Sequence, residues 1–119
     1  MSYDICLTDP ITKEALELDS PHHMKGGTYA VGGTTEACLN VTYNYAPLFK
    51  KVLDPTLGIR LLYGMGGAAS IPVLEEAISK LGDDVDSDYW EPTEGNAKRA
   101  LTQLLALARM RPDGVWNGD

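Results

Sequence analysis

The sequence predicts an α+β fold, in which a small antiparallel sheet from the N-terminal third packs against two to three C-terminal helices. Over residues 1–44 apolar side chains alternate with polar ones, which is the period of half-buried strands. Over residues 45–119 they recur every three or four positions, which is the period of amphipathic helices. Strands that precede helices are typical of α+β folds. A chain of 119 residues with 44% apolar residues fits a single domain, residues 1–119.

The strands are predicted from this alternation and from the turns between them. Residues 3–8 alternate, and a polar turn at 9–14 followed by an extended stretch at 15–18 predicts a hairpin. Residues 28–31 and 37–43 are rich in β-branched and aromatic residues, so they predict a third and a fourth strand. The glycines between these two stretches predict a turn or a bulge.

Three helices are predicted from apolar spacing and from the residues at their ends. A short one opens near Pro47 and stops before Pro55, and a second covers residues 70–81 with its first residue, a serine, as N-cap. The third is capped by Thr93 and ends before Pro112. Its apolar stripe comprises Ala97, Ala100, Leu101, Leu104, Leu105 and Ala108.

Charge and hydropathy limit the partners and the compartment. The formal net charge is −7, so the long-range field repels duplex DNA and anionic membrane surfaces. There is no run of 18 apolar residues, and the N-terminus MSYDICLTDP lacks the order of a secretory signal. We therefore expect a cytoplasmic protein that contacts neither membrane nor duplex DNA.

The two cysteines, Cys6 and Cys38, lie in predicted strands and have no CxxC spacing. We interpret them as buried thiols, since free cysteine is among the most buried residue types. The alternative is a disulfide between them, which requires adjacent strands and an oxidising compartment.

The stretch HHMKGGTYAVGGTTE, residues 22–36, is a candidate anion site, because glycine backbone can approach a phosphate closely. It matches neither the phosphate-loop nor the dinucleotide pattern, so turn-forming glycines are the favoured interpretation. Adjacent histidines on an extended segment point to opposite sides, so we expect no metal site and no cofactor. The candidate ligand-binding residues are His22, His23, Lys25, Gly26, Gly27, Thr28 and Arg60.

The stretch DDVDSDYW is a candidate partner-binding surface. Its alternate carboxylates resemble the first half of a calcium loop, but the sixth position lacks glycine and the twelfth lacks glutamate. Aromatic residues beside charges are common interface anchors, although Trp90 fits a core position equally well. The candidate partner-binding residues are Asp84, Asp86, Asp88, Tyr89 and Trp90.

Three segments over about residues 40–119 resemble a group of short proteins encoded by tailed bacteriophages and prophages. They are NVTYNYAPLF, GIRLLYGMGGAASIPVLEEAI and YWEPTEGNAKRALTQLLALARMRPDGVW. The group shares an N-x-T-x-N segment, a G-I-R-x-L-x-G-M-x-G-A segment and a helix that ends near P-D. This chain departs from it at Gly66, where the group often has Thr, and at Ala69, where it often has Glu. The matching positions are Asn40, Thr42, Asn44, Gly58, Ile59, Arg60, Leu62, Gly64, Met65, Gly67, Ala68, Pro112 and Asp113.

The resemblance implies an accessory gene of a mobile element, and such small acidic proteins often bind and disable a host-defence protein. The sequence contains no HExxH and no nucleophile elbow, which favours a non-enzymatic role. We therefore expect a protein that inhibits a host component through a basic surface of that component. The alternative is binding of a small anionic ligand such as a signalling nucleotide. A homo-oligomer is compatible with either function.

Overall fold

The computed structural model describes residues 2–22, 33–88 and 90–119. It confirms the α+β prediction, because an antiparallel sheet of three strands and three helices enclose one apolar cluster. The strands are β1 (Ser2–Thr8), β2 (Glu17–His22), β3 (Thr34–Glu36), β4 (Cys38–Thr42) and β5 (Val115–Asn117), and the helices are α1 (Ala46–Val52), α2 (Gly67–Ser79) and α3 (Glu94–Met110).

The main sheet has the order β4-β1-β5, with both pairs antiparallel. Ile5 pairs with Leu39 and Leu7 with Trp116, and all four side chains are buried. Because successive side chains on a strand point to opposite faces, this register places the apolar residues of all three strands on the face that the helices cover.

The predicted hairpin between residues 3–8 and 15–18 forms only at its closed end. There the Asp9 N–H donates to the Glu14 carbonyl and the Leu16 N–H donates to the Leu7 carbonyl, both at 2.9 Å, and a bridge joins Thr8 to Ala15. Strand β2 then leaves to form a separate two-stranded sheet with β3, because β4 occupies the edge of β1 along which the hairpin would continue. Strand β2 is also mostly exposed, so it has little apolar surface to place on the main sheet.

Strand β5 was not predicted, because three residues after a polar turn are too short to show a period. Its centre, Trp116, is 1% exposed and lies against both the sheet and α2. The predicted strand at 37–43 is confirmed as β4, whereas residues 28–31 lie outside the described residues.

The first and third helices are confirmed close to their predicted ends. Helix α1 has a proline in its first turn, and the Thr93 side chain accepts a hydrogen bond from the Asn96 N–H at 3.2 Å to cap α3. The apolar stripe of α3 is buried from Ala97 to Ala108. The cap of α3, the first-turn proline of α1 and the apolar period of both helices are therefore visible in the local sequence.

Helix α2 begins at Gly67 rather than at Ser70, so the predicted N-cap is wrong. The first turn finds acceptors in the C-terminal segment: the Gly67 and Ala68 N–H groups donate to Gly114 and Pro112 carbonyls at 2.7 and 3.1 Å. Glycine is required here, since a Cβ on Gly67 would lie 2.8 Å from the Arg111 oxygen. These distant acceptors let the helix start one turn earlier.

The cysteines form a disulfide, so the interpretation as buried thiols is wrong. Cys6 and Cys38 are directly opposed on β1 and β4, with a Cα–Cα distance of 4.1 Å. This is the short spacing of a pair without mutual backbone hydrogen bonds, in which side chains lie closest. Both are half-buried, on the face opposite Ile5 and Leu39. Strand register, which the sequence did not establish, brought them together.

Reduction of this disulfide is expected to lower the free energy of unfolding by about 3–4 kcal/mol, since it closes a loop with a sequence separation of 32. Denaturant melts with and without reductant measure the change. The control is a Cys6→Ser, Cys38→Ser variant, whose free energy of unfolding should not depend on reductant. Two titratable thiols in the folded, unreduced chain would contradict the pairing.

Candidate functional site

The segment between α2 and α3 is the strongest candidate site among the described residues. We call residues 83–91 the acidic loop, because they contain five acidic residues and no basic one. Residues 83–88 and Trp90 are all exposed. The acidic loop therefore presents a concentrated negative charge to solvent.

A buried asparagine on α3 determines the shape of this loop. Asn96 is 1% exposed, and its Oδ1 accepts from the Asp86 N–H at 3.1 Å. Its Nδ2 donates to the carbonyl oxygens of Asp88 and Glu91 at 3.3 and 3.1 Å. One side chain thus binds the main chain at three points of the acidic loop, and burial makes each bond costly to break.

The neighbouring glycine lets the acidic loop lie directly on the first turn of α3. A Cβ on Gly95 would be 2.6 Å from the Val85 nitrogen and 2.7 Å from the Asp84 carbonyl carbon, both of them backbone atoms. The Gly95 N–H also donates to Asp84 Oδ1 at 3.3 Å. Any larger residue at this position would push the acidic loop away from the helix.

The carboxylates themselves make short turns within the loop. Asp86 Oδ1 accepts from the Asp88 N–H at 2.8 Å, and Asp88 Oδ1 accepts from the Trp90 N–H at 3.1 Å. An ionised carboxylate has two oxygens and about four acceptor sites, so each can still accept from a lysine or arginine of a partner. The same side chains therefore shape the loop and supply its charge.

Two large apolar side chains lie among these carboxylates at the surface. Val85 is 65% exposed and Trp90 is 41% exposed. The Trp90 carbonyl accepts from Asn44 Nδ2 at 2.9 Å, which ties this end of the acidic loop to the turn after β4. Trp90 is therefore a surface residue on an anchored backbone, which is the usual character of an interface anchor.

Cations lie at the margins of the acidic loop. Lys98 Nζ is 2.7 Å from Asp83 Oδ1, and Lys51 Nζ is 3.2 Å from Glu94 Oε2. The Gly82 N–H, together with Lys51, holds the pKa of the Glu94 carboxyl below its usual range. The Lys98 contact anchors Asp83 at the start of the acidic loop, whereas the contacts of Glu94 lie just outside it. Asp84, Asp86 and Asp88 are left as the negative centre of the surface.

The residues predicted to bind a small anion are not brought together where they are described. His22 ends β2, has its Nε2 2.8 Å from the Glu36 carbonyl oxygen, and lines a cavity of about 410 Å³ with Arg111. Arg60 instead lies over the rings of Tyr3 and Tyr43. Five of the predicted ligand residues lie outside the described residues, as does Tyr89 of the partner-binding set. Those five are His23, Lys25, Gly26, Gly27 and Thr28.

Two residues that matter structurally were missed at the sequence level. Arg111 forms a bidentate pair with Asp113 at 3.1 and 2.9 Å, which raises the pKa of Arg111, and donates to the Glu17 carbonyl at 2.6 Å. It therefore joins β2 to the end of α3. Asn96 could have been found, because it is a polar residue at a position that falls on the apolar stripe of the helix.

The chain matches no protein-family model, no curated protein and no solved structure. Within residues 2–22, 33–88 and 90–119, the structure contains no helix with the length and apolar character that a membrane span requires. We therefore infer function from the geometry of the acidic loop.

Asn96→Ala is expected to destabilise the protein by about 1–3 kcal/mol, because partly buried main-chain groups lose their partner. Thr102→Ala is the control, since Thr102 is an exposed polar residue on the same helix whose hydroxyl donates to the Lys98 carbonyl within that helix at 2.8 Å. We expect its effect to stay within about 0.5 kcal/mol. Equal midpoints for the two variants in chemical denaturation would contradict the role given to Asn96.

Proposed function

We propose that this chain is a non-enzymatic accessory protein of a phage or prophage that binds and inhibits a host protein through its acidic loop. The observation that supports the proposal most strongly is that a buried side chain, Asn96, holds an exposed acidic and apolar surface in one shape. Assignment to a phage and to host defence rests on the sequence resemblance.

The charge of the acidic loop indicates a partner with a basic surface. Five acids within nine residues, in a chain of net charge −7, attract a positive patch and speed association at low salt. The nucleic-acid channel of a defence nuclease has this character, and a protein that covered it would exclude the natural ligand. The compartment that we propose is the host cytoplasm, where cellular reductants would keep the Cys6–Cys38 pair as thiols.

Pre-organisation is the second reason to favour binding. Ordering a flexible loop costs free energy that weakens a complex, whereas a loop already bound to its own helix avoids most of that cost. Val85 and Trp90 supply exposed apolar area within the acidic loop. We therefore propose that the apolar pair gives affinity, and that the carboxylates give orientation and rate.

The test replaces Asp84, Asp86 and Asp88 with asparagine. Asparagine keeps an acceptor Oδ1, so the turns of the loop are retained while three charges are lost. At about 0.2–1 kcal/mol for each exposed charge pair, we expect affinity for the inhibited host protein to fall between about threefold and a hundredfold. The salt dependence of binding should fall with it.

The matched control removes three charges elsewhere, with Asp19→Asn, Glu75→Gln and Glu76→Gln, which are all exposed. Each triple variant is expressed in a set of hosts that each carry one defence system, and phage plating on these hosts shows which system the protein inhibits. The affinity of each variant for the inhibited component is then measured. We expect only the loop variant to stop protecting the phage against the host defence system. Equal loss in both variants, or in neither, would contradict a specific role for the acidic loop.

A further inference from the structure

A second polar site lies around Arg60 and shares no residue with the acidic loop. Arg60 Nε donates to the main-chain oxygen of Asp119 at 3.0 Å, and the Tyr63 hydroxyl donates to the same oxygen at 3.2 Å. The Asp4 N–H donates to Asp119 Oδ1 at 2.7 Å. Three donors from two distant parts of the chain thus converge on two oxygen atoms of one residue.

The guanidinium of Arg60 is oriented by aromatic rings. Its central carbon lies 5.1 Å from the Tyr3 ring centroid and 5.9 Å from that of Tyr43, while these two rings are 4.5 Å apart. Arg60 is exposed, yet it follows the fully buried Ile59 in a 3-10 turn at Gly58–Leu62. The charge is therefore accessible to solvent but held in position by cation–π contacts.

Tyr63 is maintained as a donor. Burial, followed by the charge of Asp119, raises the pKa of its hydroxyl to about 12, and even the ordinary value of 10 leaves the group protonated at neutral pH. A protonated hydroxyl beside a guanidinium and a backbone N–H offers donors to an oxyanion, and the negative charge among these three residues is the exposed carboxylate of Asp4.

We propose that Arg60, Tyr63 and the Asp4 N–H form a binding site for an oxyanion, the carboxylate or phosphate of a small molecule, and that Gly118–Asp119 occupies it as an internal competitor. The two Asp119 oxygens stand in for oxygens of the ligand. The bond from Nε uses one of the five N–H donors of a guanidinium, so a phosphate can gain contacts that the Asp119 main chain does not make.

The competing segment can leave without unfolding the protein. Trp116 is buried, with its indole N–H 2.8 Å from Ser70 Oγ, so β5 stays in place while the two residues beyond Asn117 are exposed. Glycine is required for the closed arrangement, since a Cβ on Gly118 would lie 2.6 Å from the Tyr63 hydroxyl and 2.7 Å from the Asp4 carbonyl oxygen. We call Gly118–Asp119 the latch.

Gly118→Ala is the first test, because the added methyl group does not fit between the Asp4 carbonyl and the Tyr63 ring, and the substitution itself removes none of the three donors. If the latch fills the site in about nine-tenths of molecules, its removal raises apparent affinity about tenfold. Asp119→Gly, which removes the acceptor for the Asp4 N–H, should act in the same direction. The matched control is Gly66→Ala, where a Cβ meets nothing within 4 Å.

Inorganic phosphate and acetate are the probes, titrated into each variant while the Arg60 Nε–H and Asp4 N–H resonances are followed by NMR. We expect at least one of the two ions to bind the Gly118→Ala protein about tenfold more tightly than the parent or Gly66→Ala. The gain in Asp119→Gly should be smaller, because the main-chain oxygen that accepts from Arg60 and Tyr63 is retained. The ion that binds more tightly identifies the ligand class, and adding Arg60→Gln to the Gly118→Ala variant should abolish binding. Equal affinity in parent and variants, no binding of either ion, or binding that survives Arg60→Gln would overturn the proposal.

Discussion

The contacts of Trp116 join the sheet to the helices, and the other elements depend on them. Its indole N–H donates to Ser70 Oγ, its main chain exchanges hydrogen bonds with Met65 and Gly64 at 2.9 and 2.8 Å, and it pairs with Leu7. Trp116 thus takes part in the pairing of β5 with the central strand β1 and is hydrogen-bonded to the start of α2. The same segment supplies acceptors for the first turn of that helix, so helix length and sheet closure have a common cause.

How much of this fold the sequence predicted depends on the range of the interactions involved. Helix α3 was predicted because Thr93, the apolar stripe and Pro112 all lie in or beside it, and α1 for similar reasons. The partner of β2 was not predicted, because it depends on β4, more than 30 residues further along the chain, occupying the edge of β1 that the hairpin would use. The disulfide follows from the register of β1 and β4, which is likewise non-local.

The acidic loop and the surroundings of Arg60 show the same contrast between local and non-local interactions. The acids of the loop and Trp90 are visible in sequence as charge and aromatic character, but their fixed geometry comes from Asn96 and Gly95 in the next helix. Arg60 was grouped with Lys25 as a source of positive charge, whereas its structural neighbours are two tyrosines and Asp119. A polar residue on the apolar stripe of a helix, such as Asn96, is the sequence signal that predicts a side chain holding a neighbouring loop in place.

We infer that α3 holds the acidic loop in one shape before any partner binds. Native-state hydrogen exchange at the Asp86 amide is the decisive measurement, because that N–H donates to the buried Asn96 side chain at 3.1 Å. We expect exchange at least about a hundredfold slower than in an unfolded peptide, which corresponds to an opening free energy of about 2.8 kcal/mol. Exchange of Asp86 at the unfolded-peptide rate in the free protein would show that α3 does not hold the loop.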